Sequence, residues 1–171
     1  MTDSSIRAAM EFDAEAIVSV HILSWQKAYE QYIPESILIN LSVPERTKQW
    51  YSLLKEGVII LVLETNNQLI GFASICEFRD RDKGNLSGEI SAIYLHPDYW
   101  RNGFGTKLCQ AALNELSKAG HKEALLWVLA DNTQARLFYE NQGFHATNET
   151  KLEEFYDGGA LLLEILYKKV L

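Results

Sequence analysis

The chain is 171 residues long, which matches one domain at the usual size of roughly 100–200 residues. Hydrophobic residues make up 47% and charged residues 23%, so the composition supports a packed core and excludes disordered and fibrous classes. Sixteen Lys and Arg against 23 Asp and Glu give a formal net charge of −7, which repels a phosphate backbone and argues against a nucleic-acid partner.

The N-terminal part of the chain predicts a strand followed by two helices. Ile6–Ala8 is typical of a short strand, and Asp13 is a candidate N-cap for the first helix. The apolar stripe of that helix comprises Ile17, His21, Trp25, Ala28 and Tyr32. A second helical stretch follows Pro44 and places Trp50 and Leu54 on one face.

The rest of the chain predicts strands that alternate with helices. In chain order the expected elements are strands at Val58–Glu64 and Gln68–Phe78 joined by an Asn66-Asn67 turn, a polar loop at Asp80–Gly88, a strand at Glu89–Leu95, a helix at Phe104–Ala119, a strand at Ala124–Leu129, a helix at Thr133–Asn141, and strands at Phe144–Thr150 and Ala160–Tyr167. This order favours one domain over residues 1–171 with a mostly antiparallel sheet and helices on its faces. The fold class is α+β, an α/β three-layer sandwich.

The cysteines and the hydropathy pattern bear on the compartment. Cys76 and Cys109 are far apart and belong to no CxxC pair, so we expect two reduced structural thiols and neither a disulfide nor a metal site. The N-terminal residues show no secretory signal, and the longest apolar runs are far shorter than the roughly 20 residues that span a bilayer. We therefore expect a cytoplasmic protein with no membrane partner.

Two glycines, Gly103 and Gly105, lie between a predicted strand and a predicted helix. Such a turn lets the backbone approach an anion, and its N–H groups and the positive helix end can hold a phosphate. A tight turn without a ligand is the alternative. Leu108 stands where a dinucleotide fingerprint has its third glycine, and no GxxxxGK[ST] occurs, so Rossmann and P-loop sites are excluded.

A second motif gives the glycine turn a context. Asn132–Phe144 has the pattern N-x-x-A-x-x-F-Y-E-x-x-G-F. Together with the turn, over Gln68–Phe144, it resembles the Gcn5-related N-acetyltransferases (GNAT), whose later motif it matches at every one of those positions. The turn departs from the family pattern, Q/R-x-x-G-x-G/A, because Trp100 takes the Gln/Arg position and Arg101 follows it. Since backbone N–H groups do most of the phosphate binding, we expect this departure to alter affinity for the cofactor and not to abolish it.

The resemblance implies a GNAT-like acyl-CoA N-acyltransferase fold and an acyl-CoA site. The mixed sheet would have six or seven strands, of which the fourth and fifth splay apart around the pantetheine arm. Acetyl-CoA is the implied acyl donor, and no metal is implied. The implied cofactor-binding residues are Ile93, Tyr94 and Leu95 for the pantetheine, Trp100, Arg101, Asn102, Gly103, Phe104, Gly105 and Thr106 for the pyrophosphate, and Asn132, Ala135 and Phe138 on the later helix.

The resemblance also implies two catalytic residues. A primary amine with a pKa of about 10 must lose a proton before it attacks a thioester. Glu89, at the start of the strand before the turn, would be the base, directly or through water; a solvated strand-end carboxylate is the alternative. Other family members place a base where this chain has Trp127, so we expect that route to be closed. Tyr139 would protonate the departing CoA thiolate, and a packed amphipathic side chain is the alternative.

The acceptor side is less specific. Trp25 and Tyr29 share a helical stripe with His21 and are candidate substrate-binding residues, although such a stripe also suits a core. The segment Glu153–Asp157 is either a contact for a cationic amine or a surface turn. We expect an N-acetyltransferase that transfers an acetyl group directly to the primary amine of a small molecule or amino acid. A protein or peptide N-acetyltransferase and a non-catalytic acyl-CoA-binding module are the alternatives, and a homodimer is left open.

Overall fold

The structure is a computed structural model that describes residues 3–80 and 86–171. Besides two short 3-10 helices at Glu11–Asp13 and Pro97–Tyr99, the elements are β1 (Ser4–Ala8), α1 (Ala14–Ala28), α2 (Glu35–Leu38), α3 (Val43–Lys55), β2 (Ile59–Thr65), β3 (Gln68–Glu77), β4 (Ser87–Leu95), α4 (Phe104–Lys118), β5 (Glu123–Leu129), α5 (Thr133–Asn141), β6 (His145–Glu154) and β7 (Leu161–Val170). The loop expected at Asp80–Gly88 falls partly on residues 81–85, which lie outside the described residues, while Ser87 and Gly88 already belong to β4.

The strands form one seven-stranded sheet in the order β1-β2-β3-β4-β5-β7-β6. The pairs β1/β2, β2/β3, β5/β7 and β6/β7 are antiparallel, and β4/β5 is parallel. The parallel ladder runs from Ser87 opposite Glu123 to Glu89 opposite Leu125, whereas β4 continues to Leu95. The two strands therefore share a ladder only at the start of β4, as the expected divergence of the fourth and fifth strands requires. The predicted mixed, mostly antiparallel α+β fold is confirmed.

Backbone contacts group the chain into two units. Unit 1 comprises Met1–Ile75 and Ala92–Ala112, and unit 2 comprises Cys76–Ser91 and Leu113–Leu171. A single domain over residues 1–171 stays a prediction. The core of unit 1 is formed by buried residues of α1, α3, β2 and β3, namely Ala14, Ile17, Val18, Val20, Ile22, Trp50, Ile60, Val62 and Phe72.

Helices α1 and α3 of unit 1 begin in different ways. Asp13 precedes α1 as predicted, but its side chain does not cap α1. Its buried carboxylate instead accepts hydrogen bonds from the Arg7 guanidinium at 2.7 and 2.9 Å and from the Met10 N–H at 2.8 Å. Helix α3 is capped by the Ser42 hydroxyl, which accepts from the Glu45 N–H at 3.3 Å. Helix α1 ends at Ala28, so Tyr32, the last member of the predicted stripe, lies beyond it.

The β2–β3 hairpin turns at the predicted Asn66-Asn67 pair. Both asparagines have positive φ, 50° and 60°. A two-residue hairpin turn of the I′ type requires positive φ at both central positions, and asparagine tolerates it. The turn sets the antiparallel register that pairs Leu61 with Ala73 and buries both strands.

Unit 2 is organised around β5 and β7. Phe78, Leu125 and Leu166 form a buried cluster against which Trp127 packs. Strand β6 is longer than predicted and extends to Glu154, so Glu153 lies in the strand opposite Leu162. The expected acidic turn at Glu153–Asp157 is therefore partly strand.

Candidate functional site

The segment that follows β4 in unit 1 is fastened to the end of that strand. The Trp100 indole N–H donates to the Leu95 carbonyl oxygen at 2.7 Å, and the Ser24 hydroxyl donates to the same oxygen at 3.0 Å. The His96 N–H donates to the Ile70 carbonyl on β3 at 2.7 Å. The Trp100 side chain, which replaces the Gln or Arg of the family turn, thus braces the turn against β4.

The glycine turn itself is open. Gly103 has φ of +80° and Arg101 has φ of +62°, so the backbone is left-handed at both residues. A Cβ placed on Gly103 would meet no atom within 4 Å. The Lys107 N–H donates to the Gly103 carbonyl at 3.2 Å and forms the first hydrogen bond of α4. The backbone N–H groups that precede Lys107 in the helix have no acceptor within it. The Gly105 amide lies in this first turn of α4, so the turn has the space and the donors that an anion needs.

The predicted cofactor-binding residues of this turn differ in exposure. Arg101, Asn102, Gly103 and Thr106 are exposed, while Phe104 is buried with its ring 6.0 Å from that of Tyr99. Phe104 therefore offers its backbone and not its side chain to a ligand.

Five rings of unit 1 form an aromatic cluster, defined as His21, Trp25, Trp50, Phe72 and Tyr94. The Trp25 indole N–H donates to the Tyr94 hydroxyl at 2.9 Å. The Tyr94 ring centroid lies 4.8 Å from that of His21, and Tyr29 places its ring 5.0 Å from that of Trp25. The two predicted acceptor-binding residues, Trp25 and Tyr29, are thus in contact with each other, and Trp25 contacts the side chain of a strand residue predicted for the pantetheine.

His21 is a neutral member of this cluster. Its Nδ1 accepts a hydrogen bond from the Trp50 indole N–H at 3.1 Å, and the side chain is buried. Burial, together with the nearby Arg46 guanidinium, lowers the pKa of His21 from 6.5 to about 3. With Nδ1 acting as the acceptor, the proton of the neutral ring is on Nε2.

Arg46 was not predicted from the sequence. It lies on α3 one turn before Trp50, is half-buried, and places its guanidinium 5.0 Å from the centroid of the Trp25 ring. Burial lowers the pKa of Arg46, and its interaction with Tyr94 acts in the opposite direction. The sequence did contain a signal for Arg46. It lies four residues before Trp50, which places this cation on the apolar side of the helix.

In unit 2, the predicted base Glu89 is buried and bound to an arginine. The Glu89 side chain is 2% exposed. Its Oε1 accepts from Arg79 Nη2 at 2.7 Å, and its Oε2 accepts from Arg79 Nε at 3.1 Å and from the Arg79 backbone N–H at 3.2 Å. Because each carboxylate oxygen offers two lone pairs, the described residues engage Oε2 fully and leave one acceptor position on Oε1.

Helix α5 carries the remaining predicted site residues. The Asn132 side-chain oxygen accepts from the Ala135 N–H at 3.1 Å, so Asn132 caps the helix. The Tyr139 ring is half-buried between those of Phe138 and Phe144, at 5.3 and 5.9 Å. Asn132, Ala135 and Tyr139 follow one another at spacings of three and four residues, so they lie on one side of α5.

The rotation of α5 is set by hydrogen bonds to β7. Arg136 Nε donates to the Tyr167 hydroxyl at 2.9 Å, and that hydroxyl donates to Glu140 Oε1 at 2.8 Å. The bond to Tyr167 raises the pKa of Arg136. Arg136 and Glu140 are one turn apart, so the two contacts hold α5 at two successive turns and thereby orient Tyr139.

Trp127 stands where the resemblance implied a base in other family members. Its indole N–H donates to Asp80 Oδ2 at 2.8 Å, and the Lys151 ammonium lies 4.5 Å from its ring centroid. Lys151 also forms ion pairs with Asp80 at 3.6 Å and Glu164 at 3.8 Å. Burial raises the pKa of Glu164.

Within residues 3–80 and 86–171, no group of three or more His, Cys, Asp or Glu side chains could hold a metal ion. No helix in those ranges is long and apolar enough to cross a membrane.

Comparison with known proteins identifies the family of this chain. The model of the acetyltransferase (GNAT) family matches residues 22–144. The N-acetyltransferase YuaI of Bacillus subtilis is 30% identical over 136 residues, which cover 80% of this chain and 77% of YuaI. The ribosomal-protein-alanine N-acetyltransferase of Brucella melitensis has a TM-score of 0.76 at 22% identity and 98% and 99% coverage. The PaiA N-acetyltransferase of Thermoplasma acidophilum, solved with coenzyme A, has a TM-score of 0.74 at 22% identity and 99% coverage of both chains. The resemblance predicted from the two motifs is confirmed, and the chain belongs to the acetyltransferase (GNAT) family.

Proposed function

We propose that the protein is an acetyl-CoA-dependent N-acetyltransferase whose acceptor is the primary amine of a small molecule or an amino acid. The observation that carries this proposal is the open turn at Gly103, with the first amides of α4 directly behind it. Space and backbone donors at a helix start are what a pyrophosphate requires. The coenzyme A bound to the Thermoplasma protein of the same fold supports this ligand class.

The proposed reaction is a direct acetyl transfer. The amine nitrogen attacks the thioester carbonyl carbon, the carbon–sulfur bond breaks, the amine loses a proton and the sulfur gains one. Tyr139, oriented by the α5 contacts, would donate the proton to sulfur. Glu89 would accept the amine proton through the acceptor position that remains on Oε1, directly or through water. The N–H of a β4 residue among Ile93–Leu95 would bind the donor.

The proposed function includes a cellular compartment. We place the protein in the cytoplasm. Cys76 and Cys109 are described in the structure and form no disulfide, which agrees with a reducing compartment.

Two rival functions, a protein or peptide acetyltransferase and a non-catalytic acyl-CoA-binding module, would share the turn. These functions differ in turnover, so one assay separates them.

The test combines coenzyme A binding with thiol release. Calorimetry should detect binding of coenzyme A, and Gly103→Ala should weaken it at least tenfold because a Cβ enters the space where the pyrophosphate approaches. Gly57→Ala is the matched control, since Gly57 has φ of +83° and no atom within 4 Å of a built Cβ. Both variants carry the same left-handed strain, about 1–2 kcal/mol, so only ligand binding should distinguish them.

The outcomes separate the functions. Thiol release from acetyl-CoA with small primary amines supports the proposal, and release with N-terminal peptides alone would make the chain a peptide acetyltransferase. Binding without release with any acceptor would make it a binding module. Equal coenzyme A affinity of Gly103→Ala and Gly57→Ala would overturn the assignment of the turn.

A further inference from the structure

Arg46 differs from the other half-buried arginines in what surrounds it. It lies on the side of α3 that carries the buried Trp50, and its guanidinium lies over the ring of Trp25. The Trp25 indole N–H is already donated to Tyr94. Arg46 is therefore a cation placed on an aromatic wall and only partly exposed to water.

The charge of Arg46 has no carboxylate partner in the part of the chain that the structure describes. By contrast, Arg7 binds Asp13 and Glu64, each at 2.7 Å. A cation that loses water without gaining an anion costs free energy, and the contact with an aromatic face offsets only part of that cost. The direction of the pKa shift at Arg46 reflects the same desolvation.

We propose that Arg46 binds the carboxylate of the acceptor, so that the acceptor class is amino acids with a free α-carboxylate. The proposal rests on the function proposed above. A guanidinium presents parallel N–H donors that match both oxygens of a carboxylate, which a lysine or a neutral amide does not. Trp25 and Tyr29, in contact with each other beside Arg46, offer an apolar surface to the acceptor side chain.

The test compares acceptors that differ only at the carboxylate. Thiol release from acetyl-CoA is measured with the twenty proteinogenic L-amino acids, and the best of them is compared with its carboxamide. Arg46→Gln should lower kcat/KM for the amino acid about 10- to 100-fold, mainly through KM, as loss of a charged hydrogen bond predicts. The carboxamide should change less than about threefold. Comparing each acceptor between the two enzymes cancels the difference in amine basicity.

Two variants control for the loss of a cation and for the planar shape of the guanidinium. Lys48→Gln removes an exposed cation from the same helix and should leave both acceptors unchanged. Arg46→Lys keeps the charge without the planar fork and should recover part of the amino-acid activity.

Each outcome decides between the proposals. Equal losses with amino acid and carboxamide, or no loss with either, would overturn the role of Arg46 while the acetyltransferase proposal stands. Absence of thiol release by the wild-type protein with every acceptor would overturn the proposed function itself. Should Arg46→Gln fail to fold, the amino-acid to carboxamide ratio of Arg46→Lys decides, and an unchanged ratio counts against carboxylate binding.

Discussion

Two arginines of the candidate site regions, the exposed Arg79 and the half-buried Arg46, are held in opposite ways. In unit 2, Arg79 is bound by three hydrogen bonds to a single carboxylate, that of Glu89. In unit 1, Arg46 faces the ring of Trp25 and has no carboxylate partner among the described residues. A cation that pairs with a buried carboxylate belongs to the architecture of the fold, whereas one without such a partner is available to a ligand.

The same contrast runs through the surroundings of each arginine. Unit 2 closes its polar groups on one another, as Arg136, Tyr167 and Glu140 do between α5 and β7. In the aromatic cluster of unit 1, burial keeps the His21 ring neutral. The comparison therefore teaches that α5 and β7 of unit 2 are joined by polar bonds, while the aromatic cluster of unit 1 lies beside a half-buried cation, Arg46, that has no carboxylate partner among the described residues.

The largest expected effect tests whether the polar bonds of unit 2 serve catalysis. Tyr139→Phe keeps the ring contacts with Phe138 and Phe144 but removes the hydroxyl, so kcat should fall about 10²- to 10⁴-fold while coenzyme A affinity is retained. Steady-state kinetics and calorimetry measure the two quantities. Tyr51→Phe, which removes an exposed hydroxyl, is the control. Wild-type turnover by Tyr139→Phe would mean that water protonates the sulfur.

The same substitution at both arginines tests the comparison directly. Arg79→Met leaves the buried carboxylate of Glu89 without its cation and should lower the free energy of unfolding by about 3 kcal/mol. Arg46→Met removes a desolvated charge and one cation–π contact, so stability should stay within about 1 kcal/mol of wild type. Urea unfolding of the two variants measures the difference. Equal destabilisation would show that Arg46 is as much a part of the fold as Arg79.

A third experiment asks whether Glu89 is only a partner of Arg79. If Glu89 is the base, Glu89→Gln should lower kcat/KM about 10²-fold near neutral pH, because the amide cannot take the amine proton. Raising the pH should recover much of this loss, since solvent then supplies free amine. A pH–rate profile parallel to wild type would leave Glu89 a structural residue.

The neutrality of His21 predicts a pH dependence of stability in unit 1. The folded pKa of about 3 lies below the unfolded value of 6.5, so the unfolded chain takes up a proton that the folded chain refuses. The contribution of the neutral His21 to the free energy of unfolding is fully present well above pH 6.5 and is lost as the pH drops toward 3. Between pH 6.5 and about 5, wild type should lose about 1.6 kcal/mol more than His21→Gln, which keeps an acceptor for Trp50. Identical losses in urea unfolding would contradict a neutral His21.

The smallest effect concerns the bonds that orient α5. Tyr167→Phe removes the hydroxyl shared by Arg136 and Glu140 and should cost about 1 kcal/mol, because both partners can regain water. A drop in kcat larger than any drop in coenzyme A affinity would support the orientation of Tyr139 by this contact. Unchanged stability and turnover would show that packing alone places α5.

Local sequence patterns predicted most elements and the motif residues. Periodicity, caps and turn residues act over a few positions, so the Asn66-Asn67 hairpin and the α5 segment closed by Gly143 were predictable. The bond from Trp100 to the Leu95 carbonyl was not, because the motif position suggests a ligand contact and only the folded turn shows the indole used as a brace.

The sequence by itself therefore determined the family, the order of the strands along the chain and the position of the glycine turn. Only the tertiary structure decided how charges are compensated. Asp13 pairs with Arg7 instead of capping α1, the buried Glu89 pairs with the exposed Arg79, and Arg46 lies over an aromatic ring. Compensation of a charge depends on which side chains of other elements reach it and on how much water remains, and neither quantity is encoded in a local pattern.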